Sequence, residues 1–197
     1  ELKQSILDSI AQLVDYRKVQ LQGDTILCRA DERINLDFGA IAKGLGVDHV
    51  ANVLRQHGVS NYMVEIGGEV VVNGLNDKGT LWRIGIQKPT TADTEVQEVV
   101  QLDNVAMATS GNYRNYYVTS EGQRIPHTTD PRTVRPVSHS LLSATVIAPT
   151  CAVADAYATA FMVLGVDSAK VILNNHPELR VYLIYQNKDS VVVYSTL

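Results

Sequence analysis

Apolar segments of strand length and of helix length are interleaved along this chain without a strict βαβ rhythm, and that mixture limits the folds open to it. The clearest pair lies near the C-terminus. Leu141–Ile147 is a strongly apolar run suited to a strand, and Pro149-Thr150 then opens a helix to Leu164, with Thr150 as N-cap and Gly165 as stop. A second long helix is expected from Ile41 to Gln56, with Val47, Val50, Val53 and Leu54 as its buried stripe and Gly58 ending it. Asn61–Ile66 reads as a strand into the Gly67-Gly68 turn. Glu69–Val72 reads as a strand pairing with Leu81–Gln87 across a polar Gly/Asn/Asp loop. Further helices are expected at Leu2–Tyr16 and Ser168–Asn174. Further strands are expected at Thr25–Arg29, Ile34–Phe38, Glu95–Leu102, Val105–Thr109 and Asn115–Thr119, with a terminal hairpin of Val181–Gln186 and Ser190–Ser195. Arg124–Ser138, rich in Pro, Thr, Arg and His, has no period and reads as loop. The expected class is α+β, with mixed or antiparallel sheets and helices packed on them.

At 197 residues and 45% hydrophobic, the chain is long enough to form one well-buried domain over its full length, 1–197. A net charge of −4 without any run of Lys or Arg argues against a nucleic-acid partner. No apolar stretch reaches the roughly 20 residues that cross a bilayer. The sequence opens on Glu1 with Leu2, Ile6, Ile10 and Leu13 already at helical spacing, and has no signal peptide, so it reads as part of something longer. Cys28 and Cys151 lack metal-type spacing, and Cys151, among small apolar residues, reads as packing.

Polar residues and glycines crowd into four places. In Leu36–Gly44 a strand end passes through Gly39 into a helix start, where free N–H groups and Lys43 could receive a phosphate. Asp37 there could bond a ribose or a base edge; the plain alternative is a strand–helix turn with a solvated lysine. Glu65–Glu69 brings paired glycines, which a hairpin alone explains. The third place joins Ala108–Arg114, with Ser110 and Gly111, to the loop around His127, Thr129, Asp130 and Arg132. His127 could act as a base or bind phosphate, while Asp130 and Arg132 could simply brace the loop. In the fourth, Asp155 and Thr159 stand at i and i+4 on one helix face among small residues. A carboxylate and a hydroxyl, completed by carbonyls and phosphate oxygens, make the hard-oxygen set that magnesium prefers.

Taken together, DFGAIAKG (37–44), EIGGE (65–69), ATSGNYR (108–114), HTTDPRT (127–133) and APTCAVADAYATA (148–160) resemble, in order and spacing, the FAD:protein FMN transferases of the ApbE family. The resemblance runs from Tyr16 to Leu164 and implies an ApbE-like fold. It also implies Mg2+ as cofactor and FAD as substrate. Asp37, Lys43 and Thr129 match flavin-dinucleotide contacts, and Ser110, Gly111 and Glu65 fall in the matching motifs. Asp155 and Thr159 match metal ligands, helped by the carbonyls of Ala40 and Ala158. The implied reaction is attack by an acceptor-protein threonine on the FMN-side phosphorus, with AMP leaving and His127 assisting.

Three departures stand beside the likeness. The family's N-terminal Met-Gly-Thr strand has no counterpart here, Val134 replaces the glycine after DPRT, and Pro126 replaces a serine before His127. Two rival readings share the motifs, namely FAD hydrolysis to FMN and AMP, and a flavin-binding module without turnover. The family also implies an acceptor flavoprotein of a redox complex, a lipid anchor in sequence not present here, and the periplasmic face of the bacterial inner membrane, with the cytoplasm as alternative.

Overall fold

The computed structural model describes residues 3–90, 95–112, 116–118, 122 and 124–197. Its helices are α1 (Gln4–Ala11), α2 (Ala42–Gln56), α3 (Cys151–Leu164) and α4 (Val166–Leu173). The strands of its first half are β1 (Val19–Gln22), β2 (Ile26–Arg29), β3 (Tyr62–Ile66), β4 (Glu69–Asn73), β5 (Trp82–Gln87), β6 (Val96–Leu102) and β7 (Val105–Gly111). Those of the second half are β8 (Tyr116–Val118), β9 (Arg124–Pro126), β10 (Thr129–Asp130), β11 (Arg135–Pro136), β12 (Leu141–Ala148), β13 (Arg180–Asn187) and β14 (Ser190–Ser195).

Six strands form one antiparallel sheet in the order β14-β13-β12-β7-β4-β3. Successive residues of a strand point to opposite faces, so a strand that is apolar at odd and even positions must be covered twice. Both faces are indeed covered. Val71, Ala106, Ala108, Val146, Val181 and Leu183 face α2 and α3, whose Val47, Ala51, Ala154, Ala158 and Phe161 complete that core. Val70, Val72, Met107, Ile147, Tyr182 and Ile184 face the β5–β6 hairpin through Ile86, Val100 and Leu102. The expected α+β architecture of antiparallel sheet and packed helices is what forms.

The helices α2 and α3 meet at their starts. A Cβ on Gly44 would lie 2.4 Å from the Cys151 carbonyl oxygen and 2.8 Å from the Ala152 nitrogen, so only glycine fits there. One turn on, the Asp48 carboxylate accepts the N–H groups of Cys151 (2.8 Å) and Ala152 (2.9 Å), two amides that a helix start leaves unpaired. Thr150 caps α3 as its sequence position suggests, accepting the Val153 N–H at 3.4 Å.

Several expectations are corrected. Ile34–Phe38 is not a strand: the Ile34 carbonyl accepts the Arg29 guanidinium at 2.6 Å and the Asp37 carboxylate takes the Gly39 N–H at 2.7 Å. Side chains therefore occupy backbone groups that a ladder would need. Glu69–Val72 does not pair with Leu81–Gln87. Gly67 (φ 62) and Gly68 (φ 101) supply the two left-handed residues of a tight hairpin, which joins β4 to β3 instead. Strand β5 pairs with β6, after a loop folded around the Asn76 side chain, which accepts the N–H groups of Lys78 and Thr80. Helix α1 stops at Ala11, because Asp15 accepts the Arg17 N–H and opens a separate 3-10 turn leading into β1, a strand not expected. Helix α4 begins at Val166, and the 124–138 segment contains β9, β10 and β11. Leu2, Asn115 and Thr119, termini of expected elements, lie outside the described residues.

Two substitutions test this architecture. Gly44→Ala is expected to cost about 2–4 kcal/mol, because its Cβ meets backbone rather than a flexible side chain. Gly46→Ala, whose Cβ would meet only the Ile66 side chain at 3.4 Å, should be neutral or stabilising by up to about 1 kcal/mol. Equal urea-unfolding midpoints for the two variants would refute the close helix contact. Val134 holds φ +55°, the left-handed conformation that costs a β-branched residue about 1–2 kcal/mol. Val134→Gly should therefore raise the midpoint, by up to about 1 kcal/mol after glycine's own entropy cost. A lower midpoint would mean that the Val134 side chain contributes more by packing than its backbone loses.

Candidate functional site

A cavity of about 230 Å³ opens where the end of β7, the start of α2 and one face of α3 converge. Gly39 and Lys43 line it from the α2 side, and Thr109, Ser110 and Gly111 from β7. His127 and Thr128 come from the segment between β9 and β10, and Asp155, Thr159 and Met162 from α3. The helical repeat sets Asp155 one turn before Thr159 on the same face. The small residues Ala154 and Ala158, about 100° round the helix, seat α3 in the core.

Hydrogen bonds fix the walls. Asp155 is 2% exposed, and its Oδ2 accepts the Gly44 N–H at 3.0 Å. The hydroxyls of Ser110 and Thr159 are 3.1 Å apart and share a hydrogen bond between β7 and α3. The Thr109 and Thr145 hydroxyls do the same across the β7–β12 pair at 2.8 Å, and the Thr128 hydroxyl donates to Asn112 Oδ1 at 2.6 Å. Just behind this wall Lys43 Nζ lies 2.7 Å from Oε1 of Glu69, a residue only 2% exposed. Burial pushes the Glu69 carboxyl above its usual range; the Lys43 ammonium pulls it back, and the Asp155 charge adds to the rise. The nearby Cys151 thiol is pushed up to about 12 by burial and by the carboxylates of Asp48, Glu69 and Asp155, so it has no thiolate to offer at neutral pH.

The folding chain thus brings together Lys43, Ser110, Gly111, His127, Asp155 and Thr159 from the residues singled out in the sequence. Ala40 and Thr129 are not wall residues themselves but adjoin the wall residues Gly39 and Thr128. Asp37 turns its carboxylate to the Gly39 N–H, and the Ala158 methyl lies in the core. Glu65 lines a second cavity of about 510 Å³, formed with the Gly67-Gly68 turn, Arg83, Gln87 and Met107, which shares Thr109 with the first. Asp130 and Arg132 brace their loop. The Arg132 guanidinium and backbone N–H both bond the Asp130 carboxylate, and the guanidinium's bonds above all hold it below the usual carboxylate range. Tyr113 and Arg114 lie outside the described residues.

Sequence reasoning missed Asp48, Glu69 and Met162. The first two carried a signal: Asp48 falls on the buried stripe Gly44–Val47–Ala51, and Glu69 heads the apolar run Val70–Val72. A carboxylate in either place must have a partner.

Comparison with known proteins follows this geometry. A model of the ApbE family matches residues 2–183. The FAD:protein FMN transferase of Escherichia coli K12 is 43% identical over 155 residues, which cover 79% of this chain and 44% of that protein. The solved flavin transferase ApbE from Vibrio cholerae superposes with a TM-score of 0.87 at 35% identity, covering 98% of this chain and 60% of its own. The apo flavinyl transferase ApbE from Pseudomonas stutzeri gives a TM-score of 0.86 at 33% identity, covering 100% and 60%. The chain therefore spans roughly half of the length of the relatives it matches, and it shares their fold. It belongs to the ApbE family.

Proposed function

We propose that this protein transfers the FMN half of FAD to a threonine hydroxyl of an acceptor flavoprotein and releases AMP, with magnesium bound in the smaller cavity. The observation that supports this most is the meeting of Lys43, Ser110, His127, Asp155 and Thr159 around one cavity, in a chain of a family whose E. coli member is named for that transfer.

The donor set fits a hard cation. Asp155 is buried without a cationic partner among the described residues, and the Thr159 and Ser110 hydroxyls adjoin it. Asp155 and Thr159 would hold the ion, with the carbonyls of Ala40 and Ala158. When bound, magnesium supplies neutralisation of pyrophosphate charge and Lewis acidity toward the leaving AMP. The rest falls to the protein's own groups. Lys43 meets the phosphates, and Gly39 leaves room for their approach. Asp37, Thr129, Gly111 and Glu65 extend the contacts along the dinucleotide. His127 takes the proton of the acceptor threonine as its oxygen bonds to the FMN-side phosphorus. The bond from that phosphorus to the bridging oxygen breaks, and AMP departs with that oxygen. Phosphoryl-type transfer depends on positioning and charge, so the inert Cys151 thiol leaves no gap in the chemistry.

The test is the intact mass of an acceptor protein after incubation with FAD and magnesium. A gain of one FMN, less water, is expected with the unaltered protein and should vanish with EDTA. Asp155→Ala should lower the transfer rate by at least about 100-fold. Release of FMN and AMP with no mass gain would replace transfer by hydrolysis, and FAD binding without either product would mark a binding module. His127→Ala should slow transfer by about 100-fold or more; an unchanged rate would remove His127 from the mechanism.

A further inference from the structure

Glu69 is placed where a carboxylate is hard to keep. It begins β4 directly before the buried valines 70–72, it is 2% exposed, and its Oε2 has no hydrogen-bond partner. A buried acid with one oxygen orphaned costs free energy that an apolar or amide side chain would avoid. What it does have is Lys43, 2.7 Å from its other oxygen. No other hydrogen bond or ion pair of Lys43 is found among the described residues. The lysine stem is held as well: a Cβ on Gly67 would lie 3.5 Å from Lys43 Cδ, so the glycine turn closes over the stem while Glu69 anchors its tip.

We infer that Glu69 is a positioning residue, which fixes the Lys43 ammonium against the cavity wall in the orientation that meets a phosphate of the incoming dinucleotide. The inference rests on the flavin-transfer reading above. Its logic separates binding from turnover. A lysine already paired with a carboxylate attracts an anion less than a free one, so the pair adds little to substrate affinity. It contributes a preset direction, and interactions that are only well aimed in the transition state raise the rate rather than the affinity. Removing the Glu69 charge should therefore leave FAD binding intact or tighter and slow the transfer step.

The experiment uses five proteins: wild type, Glu69→Gln, Lys43→Met, the double variant of these two, and Glu69→Ala as a second probe of the acid. Flavin fluorescence gives the FAD dissociation constant without acceptor, acceptor mass gives kcat, and urea gives the unfolding midpoint without flavin. Glu69→Gln is expected to unfold at a midpoint no lower than wild type and to bind FAD within about twofold. It should lose about tenfold or more in kcat. In the Lys43→Met background the same change should alter kcat by less than about twofold, because Glu69 acts through the lysine. An equal loss in both backgrounds, a joint fall of midpoint and affinity, or full activity of Glu69→Gln and Glu69→Ala would each overturn the inference. An amine-reactive reagent, applied without flavin, should label Lys43 faster in both Glu69 variants than in wild type. This readout keeps the two proposals apart. If wild type transfers no FMN the proposed function fails, and unchanged labelling would still refute the positioning role.

Discussion

The contact between the starts of α2 and α3 decides where everything else can stand. Gly44 lets the two backbones touch, Asp48 closes two open amides of α3, and Asp155 returns a carboxylate to the Gly44 N–H. Each bond crosses between helices more than one hundred residues apart in the chain. A side chain on Gly44 would wedge the helices open, and with them the face of α3 that carries Asp155 and Thr159. The sheet beneath serves this contact, for β7 and β12 seat α3 while β3 and β4 seat α2.

Electrostatically the site is a small group of charges sunk into hydroxyl-lined walls. Asp155 and Glu69 are both almost wholly buried, and Lys43 pairs with Glu69 alone, at 2.7 Å. Burial above all raises the Glu69 carboxyl, and the Asp155 charge adds a smaller rise. The protein keeps this imbalance because the surrounding core over-determines its geometry.

Much of this was legible in the sequence, and the failures have definite causes. The long helices α2 and α3, their stops and the Thr150 cap were visible in the sequence, but of the stripe expected on α2 only Val47 and Leu54 pack inward, while Val50 and Val53 are exposed. The i, i+4 spacing of Asp155 and Thr159 needed only that helix to be real. Strand pairing was misjudged where one local signal competed with another. Asn76 and its glycines made a plausible turn, yet the Gly67-Gly68 pair had already taken Glu69–Val72 into a tighter hairpin. Ile34–Phe38 looked like a strand by composition, and its backbone was claimed by Arg29 and Asp37 side chains. In the site, the sequence shows Lys43 as a phosphate-binding or solvated lysine, because its partner Glu69 is distant in sequence and heads a strand, β4, while Lys43 opens a helix. The departure at Val134 is informative: its backbone takes the left-handed conformation that glycine would hold more cheaply.

The hydrogen bond from Gly44 to Asp155 spans a sequence separation of 111 residues, and the cavity walls come from segments around 39–44, 109–111, 127–128 and 155–162. No local turn or hairpin contains even a partial version of this site. It comes into being only after the distant pairings of β4 with β7 and of β7 with β12 are made, contacts whose loop-closure entropy makes them slow to form. A chain still emerging from synthesis therefore lacks this cavity, and whatever binds there can meet only the finished fold. A ligand of this cavity would then favour completed molecules over misassembled ones, because it adds stability only to the state that holds the site.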